Sequence, residues 1–150
     1  MTDSSVNMER ILAGSKVIAV VGLSGNPERP SHDVAAYMQR NGYRILPVNP
    51  KLDGPVLGEQ PYQSLEEIGE HVDIVDVFRR PVDVPSAVDG AIAIGADTVW
   101  MQLGIVNNAA AAKAEAAGIT VVMDRCIKVE HRRLIGQAGQ NTSKAKADGG

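Results

Sequence analysis

Four residues in one short turn have the chemistry to hold an anion: Gly22, Ser24, Arg29 and Ser31. They follow the unbroken apolar run 17–21 and lead into a segment of helical spacing that opens at Pro30-Ser31. A strand running into a turn of small residues, then a helix, points backbone N–H groups and the positive end of a helix at one spot, where phosphate is favoured. Ser31 is read here as the helix cap. The turn does not follow G-x-G-x-x-G, because Ser24 and Pro27 occupy the second and third glycine positions and Arg29 adds a guanidinium. The pattern predicts a phosphate-bearing ligand and argues against a standard dinucleotide site.

The end of the second apolar run narrows the choice. A site for NAD places Asp or Glu there, to accept hydrogen bonds from the ribose diol. This sequence has Asn49, Pro50 and Lys51 instead, removing a carboxylate and supplying a cation. An adenosine whose ribose carries a phosphate fits that end, and NADP and coenzyme A both answer the description. Two further turns add Phe78, Arg79 and Arg80 after the third run and Gln102 after the fourth. Several separate turns thus place polar or basic groups on one rim.

Other reactive residue types form no convincing constellation. His32, His71 and His131 have no metal-binding spacing, and Cys126 has no companion cysteine. Helical spacing brings Cys126 toward Glu130 and His131, but an inert buried thiol is the expected state of Cys126. Arg132-Arg133 is expected to be a solvated face. Asp73 and Asp76, three apart on a strand, point to opposite faces and cannot act as an acid/base pair. Asp76 on a central strand is expected to be hydrogen-bonded near a loop.

The elements that must position these groups alternate. Strands are expected at 17–21, 43–48, 72–78, 97–102 and 119–123, the first an unbroken run of the kind buried on both faces of a parallel sheet. Met8, Ile11 and Leu12 predict a short first helix ending at Gly14, packed at the sheet edge. Val34, Ala35 and Met38 mark the helix after Ser31, which stops at Asn41-Gly42. Residues 51–63 read as a Gly/Pro-rich loop with a short edge strand near Val56, and Ser64-Leu-Glu-Glu67 matches a capping box. Pro85 suits the first turn of a helix with apolar face Val88, Ala91 and Ile92, and Asn107 caps an alanine-rich helix that ends at Gly118. A closing helix is expected from Cys126 to Ile135. The fold class is α/β: a single Rossmann-like domain, a mainly parallel sheet with helices on both faces, over residues 1–135, followed by a disordered tail at 136–150.

Bulk properties exclude several functions. With 150 residues, a net charge of −3 and 3% aromatic residues, the chain has neither the basic field nor the stacking platform of a nucleic-acid binder. No secretory signal is expected, since a basic segment followed by an apolar stretch is not found at the N-terminus, and no apolar run is long enough to span a bilayer. A single cysteine suits a reducing, cytoplasmic setting.

Taken in order, the motifs resemble a known family. Val21-Gly22-Leu-Ser24, Arg29-Pro30-Ser31, Gly42-Tyr43, Pro47-Val48-Asn49-Pro50, Val72-Asp73-Ile-Val-Asp76-Val-Phe78-Arg79, Trp100-Met-Gln102-Leu-Gly104 and Val122-Met123-Asp124-Arg125-Cys126 are similar to the stand-alone CoA-binding domain proteins. These in turn resemble the nucleotide-binding domain of the succinyl-CoA synthetase alpha subunit. The likeness spans about residues 11–135. It implies a Rossmann-like fold with coenzyme A as ligand, the phosphates at Gly22, Ser24 and Arg29, and the adenosine end near Asn49, Pro50 and Lys51. The rest of the cofactor would meet Phe78, Arg79, Arg80 and Gln102. The synthetases also need a phosphohistidine from a further domain and a partner subunit, which 150 residues do not supply. The implied activity is therefore binding of CoA or an acyl-CoA by a carrier, sensor or regulatory protein, with an NADP-dependent oxidoreductase as the alternative. A homo-oligomer or an enzyme partner stays open.

Overall fold

The computed structural model describes residues 4–136. Five strands, β1 (Val17–Val21), β2 (Arg44–Val48), β3 (Ile74–Val77), β4 (Thr98–Met101) and β5 (Thr120–Val122), form one sheet in the order β2-β1-β3-β4-β5. Every pairing is parallel. α1 (Ser4–Gly14) precedes β1, α2 (Pro30–Arg40) joins β1 to β2, α3 (Val84–Ile94) lies between β3 and β4 and α4 (Asn108–Ala116) between β4 and β5; α5 (Ile127–His131) follows β5 and continues as a π-turn over Arg132–Gly136. The α/β class and the five strands match the expectation. Of the expected tail, Gly136 belongs to that last turn, and 137–150 lie outside the described residues.

Strand alternation sorts the apolar residues onto two faces. Ala19, Val21, Leu46, Val48, Val75, Val77, Val99 and Met101 meet Val84, Val88 and Ala91 of α3 and Ala110, Ala111 and Ala114 of α4. Ile18, Val20, Ile45, Ile74 and Trp100 meet Met8 and Leu12 of α1, Val34, Ala35 and Met38 of α2, and Ile127 of α5. Because both faces are covered, the central strands read as continuous apolar runs.

Two local expectations are corrected. Val56 starts no edge strand. It pairs only with Glu59, across a tight turn in which Leu57 and Gly58 both have positive φ. The outer edge of β2 is covered instead by Tyr62, which donates to the Pro47 carbonyl at 2.8 Å while accepting from Asn49 N–H at 2.9 Å. Pro47 is tolerated because β2 is an edge strand. The capping box at Ser64 does not form. Glu67 Oε1 accepts from Gln63 N–H at 2.6 Å, but Ser64 makes no side-chain cap, and the element is a single 3-10 turn, Leu65–Glu67. Asn107 caps α4 as expected, its Oδ1 accepting from Ala110 N–H at 3.0 Å.

The buried Asp76 overturns another expectation. It sits in register with Val20 and Trp100, 1% exposed, and its Oδ1 has no hydrogen-bond partner. Burial pushes its pKa well above the usual carboxylate value. Its neighbour Asp73 behaves quite differently. One Asp73 oxygen accepts from the N–H groups of Lys16 and Val17 at 2.8 Å each, tying the start of β1 to β3.

Candidate functional site

The sheet order places the topological switch between β1 and β3. The chain leaves β1 toward β2 on one side, then returns to build β3 on the other. In such a sheet the crevice outside the carboxyl ends, at the switch, is the binding position. There the structure has a cleft of about 580 Å³ lined by Gly22, Ser24, Arg29, Pro30, Ser31, Asn49, Lys51, Phe78, Arg79, Arg80, Pro81 and Ile105. A second hollow of about 340 Å³, which includes Pro50, Ser64, Glu66 and Asp83, shares Arg79 with it. Nine of the eleven residues expected to form the site line the larger cleft. Pro50 lines the smaller, and Gln102 lines neither.

The residues do not all face the cleft in the expected way. Ser31 is not the cap of α2. Arg29 holds that position with no side-chain cap, and Ser31 is buried inside the first turn. Its Oγ accepts from Ser24 N–H at 3.0 Å, while Ser24 Oγ accepts from Asn26 N–H at 3.0 Å. Ser31 therefore shapes the turn from within, and the Ser24 N–H already has a partner. Asn49 also works on the frame: its Nδ2 donates to Leu23 O at 3.1 Å and its Oδ1 accepts from Lys51 N–H at 3.0 Å. Gln102 is buried, and its Oε1 accepts from Ile127 N–H at 3.1 Å, fixing the start of α5. Spacing alone could not separate these amides from ligand groups, since Asn and Gln at a strand end can serve either purpose.

The cations remain. Arg29 and Lys51 are exposed, Arg79 is half-buried, and among the described residues no acidic group pairs with any of the three. Only Arg80 has a partner, Asp83 at 3.1 Å, on a side chain that is 80% exposed. Three unpaired cations converge on one cleft of a chain whose net charge is −3. An α-helix of eleven residues also begins there and brings the positive end of its dipole to the cleft, although Pro30 has no N–H and those of His32 and Asp33 donate to Arg29 O at 3.1 Å each. Such an arrangement attracts an anion of several charges. Sequence reasoning missed Pro30, Pro81 and Ile105. Pro30 and Pro81 were legible as neighbours of Arg29 and Arg80. Ile105 reaches the cleft through the turn after β4, which Ile105 N–H closes on Gln102 O at 2.9 Å.

A match to the CoA-binding domain model spans residues 16–132, from before β1 to the end of α5. The chain belongs to the CoA-binding domain family. A relative from Bacillus subtilis (strain 168), the uncharacterized protein YneT, is 45% identical over 128 residues, covering 85% of this chain and 94% of its own. Among solved structures, a Thermus thermophilus protein called cell-free ID.343 is 40% identical, with a TM-score of 0.84 over 90% of this chain and all of that one. A hypothetical protein from Pyrococcus horikoshii OT3 is 38% identical, also with a TM-score of 0.84, covering 90% of this chain and 93% of its own. The matched domain thus covers most of this chain.

The remaining reactive groups lie elsewhere or are occupied. Cys126 is half-buried rather than fully buried, at the start of α5. It gains no base from its neighbours. Glu130 binds Arg133 at 2.7 Å, and His131 Nδ1 meets Tyr37 Oη at 2.9 Å, with burial lowering the imidazole pKa. Folding does assemble one cluster the sequence did not show. His71, Asp73 and Asp97 have ligand-type atoms within 4.8 Å of one another at the amino ends of β3 and β4. It sits at the opposite end of the sheet from the cleft. His71 Nε2 is 2.9 Å from Asp97 Oδ2, which raises the histidine pKa. No helix among the described residues is long and apolar enough to cross a membrane.

Proposed function

We propose that this CoA-binding domain protein holds coenzyme A or an acyl-CoA in the switch-point cleft, as a non-catalytic carrier, sensor or regulatory protein. The observation that carries this is the convergence of Arg29, Lys51 and Arg79, without acidic partners, on one cleft at the carboxyl ends of β1, β2 and β3. Coenzyme A carries a pyrophosphate and a ribose phosphate, so it offers several anionic groups to separate cations. Arg29, beside the first turn of α2, suits the pyrophosphate; Lys51, after β2, suits the ribose phosphate. Asn49 is a neutral amide whose Oδ1 already accepts from Lys51 N–H and whose Nδ2 already donates to Leu23 O, so it offers a ribose diol less than the carboxylate of an NAD site would. Calorimetric titration with CoA, NADP and NAD tests the assignment. CoA is expected to bind tightest and NAD weakest. Preference for NADP over CoA would replace this reading with the oxidoreductase one, and preference for NAD would remove both.

A further inference from the structure

Large apolar side chains are exposed beside the same cleft. Val82 is 72% exposed, Leu103 69% and Val106 43%. Val82 follows the lining residue Pro81, Val106 follows the lining residue Ile105, and Leu103 is in the same turn two positions before Ile105. The two loops that carry them are joined: Asn107 Nδ2 donates to Pro81 O at 3.0 Å. The turn bearing Leu103 is also pinned. Gly104 N–H donates to Asp124 Oδ1 at 2.7 Å, and Gln102 is locked onto the start of α5. Single exposed apolar residues are ordinary, but here three lie on two linked, well-anchored loops beside one cleft. The cleft lining thus combines cations, Arg29, Lys51 and Arg79, with the apolar groups of Pro81 and Ile105, and the exposed apolar residues lie on the loops that carry Pro81 and Ile105.

An acyl-CoA combines the same two characters, with phosphates at one end and an acyl chain at the other. We propose that Val82, Leu103 and Val106 receive the acyl chain, so that this protein prefers thioesters of medium or long apolar acyl groups over acetyl-CoA and free CoA. The proposal rests on the CoA reading above and adds the substrate class.

The test is calorimetric titration of the full chain with CoA, acetyl-CoA and octanoyl-CoA, the last kept below its micelle concentration. The same titrations are run on a variant carrying Val82→Ser, Leu103→Ser and Val106→Ser. All three positions are exposed, so folding should survive. Full burial of one methylene is worth about fourfold in affinity. On an open rim only part of each is buried, and six added methylenes should tighten binding at least about tenfold. The triple variant should bind CoA as the wild type does and lose the gain with chain length. Equal affinity for acetyl- and octanoyl-CoA would overturn the proposal, as would a gain that survives in the triple variant; either result leaves CoA binding itself intact. Failure of CoA to bind the wild type would overturn the functional reading, and this one with it.

Discussion

The carbonyl oxygen of Phe78 occupies the space that a side chain on Gly22 would need. A Cβ on Gly22 would collide with that oxygen, and the residue has φ of +92°. The close approach follows from the switch itself. β1 and β3 are adjacent, Phe78 N–H donates to Val21 O at 2.9 Å, and Gly22 N–H donates to Val48 O at 2.8 Å. Gly22 is where the ends of β2, β1 and β3 come together.

Gly22→Ala should therefore damage the frame as well as the site. The positive φ and the forced displacement of Phe78 together predict a loss of at least about 2 kcal/mol in unfolding free energy. Chemical denaturation of the ligand-free protein checks this. An alanine variant as stable as the wild type would mean that the turn can open freely.

Lys51 allows a finer test of the ligand's orientation. If it meets the ribose phosphate, dephospho-CoA should bind more weakly than CoA by about 1–2 kcal/mol, the scale of one charge-assisted contact. Lys51→Ala should reduce that difference to near zero. Equal binding of the two ligands by the wild type would remove the assignment of Lys51 while leaving CoA in place.

Asp76 makes stability depend on pH. Its folded pKa is raised by burial, so it prefers to stay protonated in the native state, whereas the unfolded chain releases the proton near the ordinary value of 3.8. The resulting cost to folding is absent below that value and grows as pH rises toward the folded pKa. Asp76→Asn removes the titration. It is expected to raise the unfolding free energy at pH 8 by on the order of 1–3 kcal/mol and to change little at pH 4. Denaturation curves at both pH values decide it, and equal effects at the two would show that the carboxyl's charge is not the cause.

The fold was legible because its strands are short β-branched runs divided by Gly, Pro and Asn. Ile18, Val20, Ile74 and Val75 say little about their partners, yet the alternation of runs with helical segments is enough for a parallel sheet. The cations of the site were legible for a similar reason: Arg29, Lys51, Arg79 and Arg80 each follow the carboxyl end of a strand or open a helix. What spacing could not show was which polar side chains face inward. Ser31, Asn49 and Gln102 look like ligand groups in sequence, and each makes hydrogen bonds within the frame, to Ser24, to Leu23 and Lys51, and to Ile127. The bonds of Ser31, of Asn49 to Leu23 and of Gln102 span 7, 26 and 25 positions and depend on how the turns stack, whereas the Asn49–Lys51 bond is local. The unsatisfied state of Asp76 is equally a property of packing, and no local signal announced it.

The central claim is that the unpaired cations at the switch hold the phosphates of CoA, and one comparison tests it most directly. CoA is titrated calorimetrically into the wild type, Arg29→Ala and Arg79→Ala, with melting temperatures of the ligand-free proteins measured alongside. Each substitution is expected to weaken CoA binding by roughly 1.5–3 kcal/mol, the scale of hydrogen bonds to charged groups. Because both arginines lack acidic partners, the melting temperatures should scarcely move. Undiminished affinity in both variants would contradict the account, and so would a wild type that does not bind CoA at all.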